Sequence, residues 1–288
     1  MSQSVNLGGN RRMSEREQVG ADLWSGVDLS GITLVIGLGT GQLLEMLAVE
    51  AQQAGGLVVL VSYLQPALEA AGDLATQLPI ERVHCRSRQL PLADGSVDLC
   101  VVNGSLRDVP VPHYRTFLDE LWRILVPGGH LRISDILPAS DSPEALTWRR
   151  RCDLISRLGH AMGQPVALHA DARALAKAMQ ETGYESMAIS LLPGLALTPE
   201  WLGETVEAIR SMVSRVGDAH VRDDIIEVDI PALIASFRHG EQRAADRFVV
   251  RGNKVGNLAL DMETAGTEAV LAARDDEPAD PLVSDGAA

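Results

Sequence analysis

Residues Thr33–Met46 read TLVIGLGTGQLLEM. Leu34, Val35 and Ile36 form a short apolar run of the kind that makes a buried strand. Glycines follow at alternate positions, Gly37, Gly39 and Gly41. Leu43, Leu44 and Leu47, interrupted by the polar Gln42 and Glu45, then carry helical spacing. A strand, a glycine turn and a helix in that order place a helix N-terminus at the carboxyl end of a strand. Glycine lets the backbone turn sharply and lets a ligand approach the main chain. The free N–H groups and the positive end of the helix dipole suit an anionic or polar ligand group.

The same alternation continues downstream. Gly55-Gly56 closes the first helix, and Leu57–Val61 (LVVLV) reads as a second buried strand. Pro66 opens a helix expected over 67–78, as proline does in a first helical turn. Arg82–Cys85 is a short third strand and Val97–Val102 a fourth, ending at Asn103-Gly104-Ser105. Phe117, Leu118, Leu121 and Leu125 mark a helix over Tyr114–Leu125, and Pro127-Gly128-Gly129 turns the chain into a fifth strand, His130–Ser134. Repeated strand–helix alternation predicts an α/β fold with a parallel, doubly wound sheet.

Beyond a loop at Pro138–Pro143 the pattern is more helical. Helices are expected over Glu144–Leu158, Ala170–Thr182 (stopped by Gly183), Pro199–Val216 and Pro231–His239, with strands at Tyr184–Leu192 and Arg247–Arg251. Arg149-Arg150-Arg151 reads as a solvated helix face. At the front, Met1–Arg12 is a polar arm, and Ser14 with Glu17 is a capping pattern for a short helix reaching Trp24. The organisation is thus an N-terminal arm and helix (1–30), a core (31–138), added helices and closing strands of the same domain (139–260), and an acidic tail (261–288). The tail holds eight acidic residues and one arginine and reads as disordered.

Hydrophobic residues make up 46% of the 288 and aromatics only 3%, so the core must be aliphatic. The formal net charge of -14 argues against a nucleic-acid or anionic-membrane binder. Cys85, Cys100 and Cys152 match no zinc spacing, and the seven histidines pair with no acid or cysteine at ligand spacing, so no metal is expected. No apolar run is long enough to span a bilayer, and the N-terminus lacks the apolar core of a signal peptide. The expectation is a cytoplasmic protein, with a homodimer or a protein partner compatible with the added helices.

Three stretches together resemble the class I S-adenosylmethionine-dependent methyltransferases, in particular the methyltransferase type 11 group with the menaquinone-biosynthesis and arsenite methyltransferases. They are IGLGTG at Ile36–Gly41, LPLADGSVDLCVVNGSL at Leu90–Leu106 and ELWRILVPGGHLRISDI at Glu120–Ile136. The resemblance implies a Rossmann-like seven-stranded sheet with its last strand antiparallel, and S-adenosylmethionine at the carboxyl ends of the strands. By position, Gly37, Gly39, Thr40 and Gly41 line the methionine part of the cofactor. Ser62 and Tyr63 face the ribose and adenine, Arg86 and Ser87 lie near the adenine edge, and Asn103 and Ser105 lie between cofactor and substrate. Where that family carries acids, this chain has Val35, Ser62 and Arg86, so hydroxyl and backbone groups must take over their hydrogen bonds.

The implied activity is methyl transfer to a small-molecule acceptor, a reaction in which positioning supplies most of the catalysis and a general base is optional. Arg107, Asp108, His113, Asp135 and Tyr63 fall near the expected mouth, and Asp108 and His113 are the candidate catalytic bases. The alternative is a catalytically degenerate relative that keeps the fold for binding. A dinucleotide-dependent oxidoreductase is disfavoured, because Gly-x-Gly-x-x-Gly would need a glycine where Gln42 stands.

Overall fold

The strand expected at the opening stretch is β1, Ile32–Ile36, and it sits in the middle of a seven-stranded sheet. The others are β2 (Leu57–Ser62), β3 (Ile80–His84), β4 (Val97–Asn103), β5 (Leu125–Ile136), β6 (Glu185–Leu192) and β7 (Arg247–Asn253). Their order is β3-β2-β1-β4-β5-β7-β6. The first five pair in parallel, while β7 runs antiparallel to both β5 and β6. This computed structural model describes residues 23–37, 41–87, 89–164 and 166–256. The N-terminal arm, Gly39 and Thr40, and the acidic tail lie outside the described residues. Of the helix expected to reach Trp24, only Leu23 and Trp24 lie inside, and both are buried.

Side chains alternate between two cores, as a strand period of two requires. Leu34, Cys100, Ile133, Phe248 and Val250 pack with Leu118 and Leu121 of α4 (Tyr114–Ile124) and with Leu175 and Met179 of α6 (Ala172–Thr182). Val35, Val58, Leu60, Leu99 and Val249 pack on the other face with Leu44, Leu47 and Ala51 of α1 (Gly41–Ala54). Each fully buried side chain of this size contributes about 1.5–3 kcal/mol by leaving water.

The two longer motif stretches are joined by one side chain. Arg123 donates to the carbonyls of Leu92 (2.9 Å) and Leu90 (3.1 Å), to both carboxylate oxygens of Glu120 (2.9 and 2.7 Å) and to Asp94. Glu120 in turn accepts the Leu90 N–H at 2.6 Å. A guanidinium suits this place because its planar donors fan out to several acceptors at once. Near the same starts of the strands, Asp98 accepts the Ile32 N–H at 2.8 Å and lies over Gly31, where a Cβ would come within 2.1 Å of its carboxylate. These contacts give the Asp-Gly-Ser-x-Asp stretch a structural role.

Several local expectations are corrected. The single helix expected over 67–78 is broken into α2 (Gln65–Ala70) and α3 (Gly72–Ala75), with Ala71 serving as end of one and start of the other. Gly72 at the break is a poor helix former. Pro127-Gly128-Gly129 does not separate helix from strand: β5 already begins at Leu125, which pairs with Val97, and Gly128 (φ +81) shifts the register before His130. α6 does end at Gly183 (φ +102), and Asp171 caps its start by accepting the Arg173 and Ala174 N–H groups.

A third core lies in the added helices α5 (Leu146–Ala161), α7 (Pro199–Val213), α8 (Ala219–Asp224) and α9 (Ile230–Phe237). Leu154, Leu158, Ile209, Val213, Ile225 and Leu233 fill it. A π-turn at Ile225–Asp229, in a stretch with no expected element, joins α8 to α9. Pro231 accounts for it: proline has no N–H and its ring clashes with the carbonyl four residues back, so the helix widens there. Arg157 spans the turn, with Asp229 at 2.7 Å and Asp224 at 2.9 Å. The arginine run is not a solvated face. Arg149 donates to the Ser140 and Ser142 carbonyls, Arg150 to the Ala232 carbonyl, and Arg151 lies over the Trp148 ring at 4.9 Å. Among the described residues no helix is long and apolar enough to cross a membrane, and the three cysteines are free.

Candidate active site

β1, β2 and β4 end side by side at Ile36, Ser62 and Asn103, because Ile36 pairs with Val61 and with Val102. A cavity of about 680 Å3 opens at these ends. Gly37, Ser62, Tyr63, Arg86, Ser87, Asn103, Ser105 and Asp108 all line it, as does Arg107. Gly39 and Thr40 fall outside the described residues, and Gly41 opens α1 beside the cavity. His113 does not line it. It closes the 3-10 turn Val111–His113, with its N–H given to the Pro110 carbonyl at 2.7 Å. The helix-turn geometry after β4 carries it away, and the expectation of a base at His113 is withdrawn.

The walls are polar at the strand ends and apolar beyond. Gly37 (φ +69) presses against the β4 end: a Cβ there would stand 1.4 Å from Ser105 Oγ and 2.9 Å from the Asn103 carbonyl. Ser105 donates to the Ile36 carbonyl at 3.4 Å, which closes the first turn onto the fourth strand. Ser62 Oγ accepts the Leu64 N–H at 3.1 Å, so its own proton remains for a ligand oxygen. Tyr63 is 55% exposed, and Arg86 and Ser87 are also exposed on the rim. Phe117, Glu120 and Leu121 add a wall from α4. The sequence pattern marks Phe117 and Leu121 only as core positions of an amphipathic helix; that this face also reaches the cavity follows from where the helix docks.

Charge gathers on the β4–β5 side. Asp135 is fully buried, with Oδ2 accepting the Arg107 N–H at 3.2 Å and Oδ1 accepting the Ile136 N–H at 2.8 Å. The Arg107 Nε lies 3.9 Å from the same carboxylate. Asp108, at the mouth, is held above the usual carboxylate range, first by partial burial and further by Asp135, with Arg107 opposing. Tyr63 is pushed up by its own partial burial and by the Asp108 charge facing it. Asn103, 3% exposed, is held by Arg247, whose Nη2 donates to Asn103 Oδ1 at 2.8 Å and to Ser134 Oγ at 3.0 Å. Arg247 went unread in the sequence, where it is simply the first residue of an apolar strand. Among the described residues no group of three or more metal-ligating side chains comes together.

The chain matches the family model described as a methyltransferase domain over residues 34–133, the part that holds β1 to β5 and most of this cavity. Over those residues the chain carries a methyltransferase domain, set within the seven-stranded sheet described above. Among solved structures it resembles a proposed methyltransferase from Bacillus halodurans, with 15% identity, 83% of this chain and 99% of that chain covered, and a TM-score of 0.52. It also resembles the YcgJ protein from Bacillus subtilis, with 12% identity, coverage of 84% and 99%, and a TM-score of 0.52. The [4+2]-cyclase SpnF aligns with 15% identity, coverage of 84% and 82%, and a TM-score of 0.51. At these identities the likeness is one of fold, and the cyclase shows that chemistry varies on it. A comparison with curated proteins finds no match.

Proposed function

We propose that this protein transfers a methyl group from S-adenosylmethionine to a small-molecule acceptor. The observation that carries the reading is the cavity at the ends of β1, β2 and β4, which gathers Gly37, Ser62, Tyr63, Asn103 and Ser105 in one wall. Its volume, about 680 Å3, suits a ligand of nucleoside–amino acid size. The donor set fits such a ligand without the missing acids. Ser62 offers a hydroxyl proton to a ribose oxygen, and the first turn of α1 has backbone N–H groups with no acceptor inside the helix. Arg86 is exposed, so water and salt screen its charge from the site.

The bound cofactor supplies an electrophilic methyl group on a sulfonium. The chain's own residues bind, orient and exclude water. Arg247 fixes the Asn103 side chain beside the cavity, and the Arg107–Asp135 contact holds the turn after β4. Asp108 stands at the mouth with a raised carboxyl pKa, in place to accept a proton from an acceptor O–H or N–H. Residues 139–260 act as lid and closing strands of the same domain, and choose the acceptor.

Calorimetric titration of the full chain with S-adenosylmethionine, and separately with S-adenosylhomocysteine, tests the reading. Micromolar binding of either is expected. A folded protein that gives no heat up to millimolar ligand overturns it.

A further inference from the structure

α5 turns Trp148, Arg149, Cys152 and Asp153 toward a cleft of about 200 Å3, which none of the residues of the larger cavity lines. Leu137, where the chain leaves β5, and Leu168 and His169, just before α6, supply more of its lining. These two segments are fixed by the backbone. The Leu137 N–H donates to the Asp246 carbonyl at 2.8 Å, and the Ala170 N–H to the Ile136 carbonyl at 3.2 Å.

Arg149 and Asp153 stand four residues apart on α5, a spacing at which opposite charges on a helix ordinarily meet. The same Arg-x-x-x-Asp arrangement on α4 does close, with Arg115 Nε at 2.7 Å from Asp119. On α5 it stays open. Arg149 Nη1 donates instead to the Ser140 carbonyl and, at 3.0 Å, to the Ser142 carbonyl. Its Nε and Nη2 have no acceptor among the described residues, and neither Asp153 nor His169 has a hydrogen-bond or ion-pair partner there. One guanidinium and one carboxylate thus face the same cleft without facing each other. Leu137, Leu168 and the Trp148 ring give it apolar surface, and the ring is set in place by Arg151 at 4.9 Å and by Trp201 stacked at 5.9 Å. Burial pushes the Cys152 thiol up, so that wall stays uncharged.

A ligand with a single charge would leave one of these two groups unanswered. A zwitterion answers both, because a guanidinium matches a carboxylate with two parallel donors and a carboxylate accepts from an ammonium. The cleft lies below the volume of sites for drug-sized ligands, about 300–1,000 Å3. Its apolar lining favours a short hydrocarbon side chain.

We propose that this cleft is a second ligand site, which takes a free α-amino acid with a small aliphatic side chain: the carboxylate toward Arg149, the ammonium toward Asp153, and the side chain on Leu137, Leu168 and Trp148. The site is separate from the cofactor cavity and does not depend on the methyl-transfer reading.

The test is calorimetric titration of the full chain with L-valine and L-leucine at fixed pH and ionic strength, with glycine, isovalerate and isobutylamine as comparators. Saturable binding of valine or leucine is expected, at least about tenfold tighter than that of each comparator. Asp153 is exposed, so Asp153→Asn should fold as the parent does and lose at least about tenfold in affinity. Arg149→Gln should lose as much, and Asp153→Asn keeps the test decisive where loss of the Ser140 and Ser142 contacts unfolds that variant. Asp119→Asn, which opens the closed pair on α4, should leave affinity unchanged. No saturation up to about 10 mM valine or leucine, unchanged affinity in Asp153→Asn, an equal loss in Asp119→Asn, or a comparator that binds as tightly as leucine each overturns the proposal.

Discussion

Arg247 and Asn103 meet at 2.8 Å across the full width of β5, so the last strand of the sheet holds a side chain at the end of the fourth. The bond is charge-assisted, and both partners are largely buried. Asn103→Ala leaves Arg247 with Ser134 as its side-chain acceptor. It is expected to cost about 1.5–3 kcal/mol of stability, as losses of hydrogen bonds to charged groups do. Urea denaturation measures that cost, and calorimetry with S-adenosylhomocysteine should show weakened binding in the same variant. A variant with unchanged stability would show that the contact is incidental.

Gly37 is the one position of the glycine turn where the described geometry forbids a side chain. Its φ of +69 costs an alanine about 1–3 kcal/mol, and the new Cβ would meet Ser105 Oγ. Gly37→Ala is expected to abolish cofactor binding. Gly37→Ala with Ser105→Gly should recover part of the stability, since the side-chain clash goes while the backbone strain and the nearby Asn103 carbonyl remain. Equal stability of the single and double variants would contradict this account.

Arg123 bonds the loop before β4 to α4 through five acceptor atoms. Arg123→Ala is expected to lose about 2–3 kcal/mol by leaving Glu120 and two carbonyls without their donor. Arg123→Lys should recover little of this, because one ammonium cannot reach acceptors spread over that plane. Thermal or urea unfolding of the pair decides the matter; a lysine variant as stable as the parent would mean that charge alone matters.

Asp108 sets a pH dependence with a definite sign. Its carboxyl is raised in the folded protein, chiefly by partial burial, so the protonated form is favoured there relative to the unfolded chain. Stability from this group is therefore present at low pH and is lost as pH rises through the unfolded and then the folded value. Asp108→Asn, which mimics the neutral form, should be the more stable protein at neutral pH. If Asp108 accepts the acceptor's proton, turnover should rise with pH through a midpoint above the usual aspartate value, and the asparagine variant should lose that limb. A limb that survives the substitution assigns the base elsewhere.

Periodicity and glycine placement were enough to read β1, β2, β4, α1 and α4, because each has a long apolar run or a clear helical stripe. The antiparallel seventh strand came only from the family resemblance; Arg247–Arg251 by itself says nothing about direction. Ser62, Tyr63, Asn103 and Ser105 were legible because each follows directly on a strand end. Arg247, which holds Asn103, was not, since a charged residue at a strand start reads as surface until its neighbours are known. His113 failed for the converse reason: it is near the mouth in sequence, but a 3-10 turn directs it elsewhere. The break at Gly72 and the π-turn before Pro231 depend on one residue each overriding an otherwise helical pattern.

β7 lies between β5 and β6, although it follows both in the chain by at least fifty residues. β6 pairs only with β7, so neither strand can join β5 until residue 247 onward has been made, and closing so long a loop is slow. During synthesis, residues 32–136 can assemble their five parallel strands early, but Asn103 has no arginine partner until residue 247 has been made and inserted. A chain caught before that step holds a formed sheet with an unfilled edge and an unsecured Asn103, so ligand affinity, more than secondary structure, distinguishes a finished molecule from a nearly finished one.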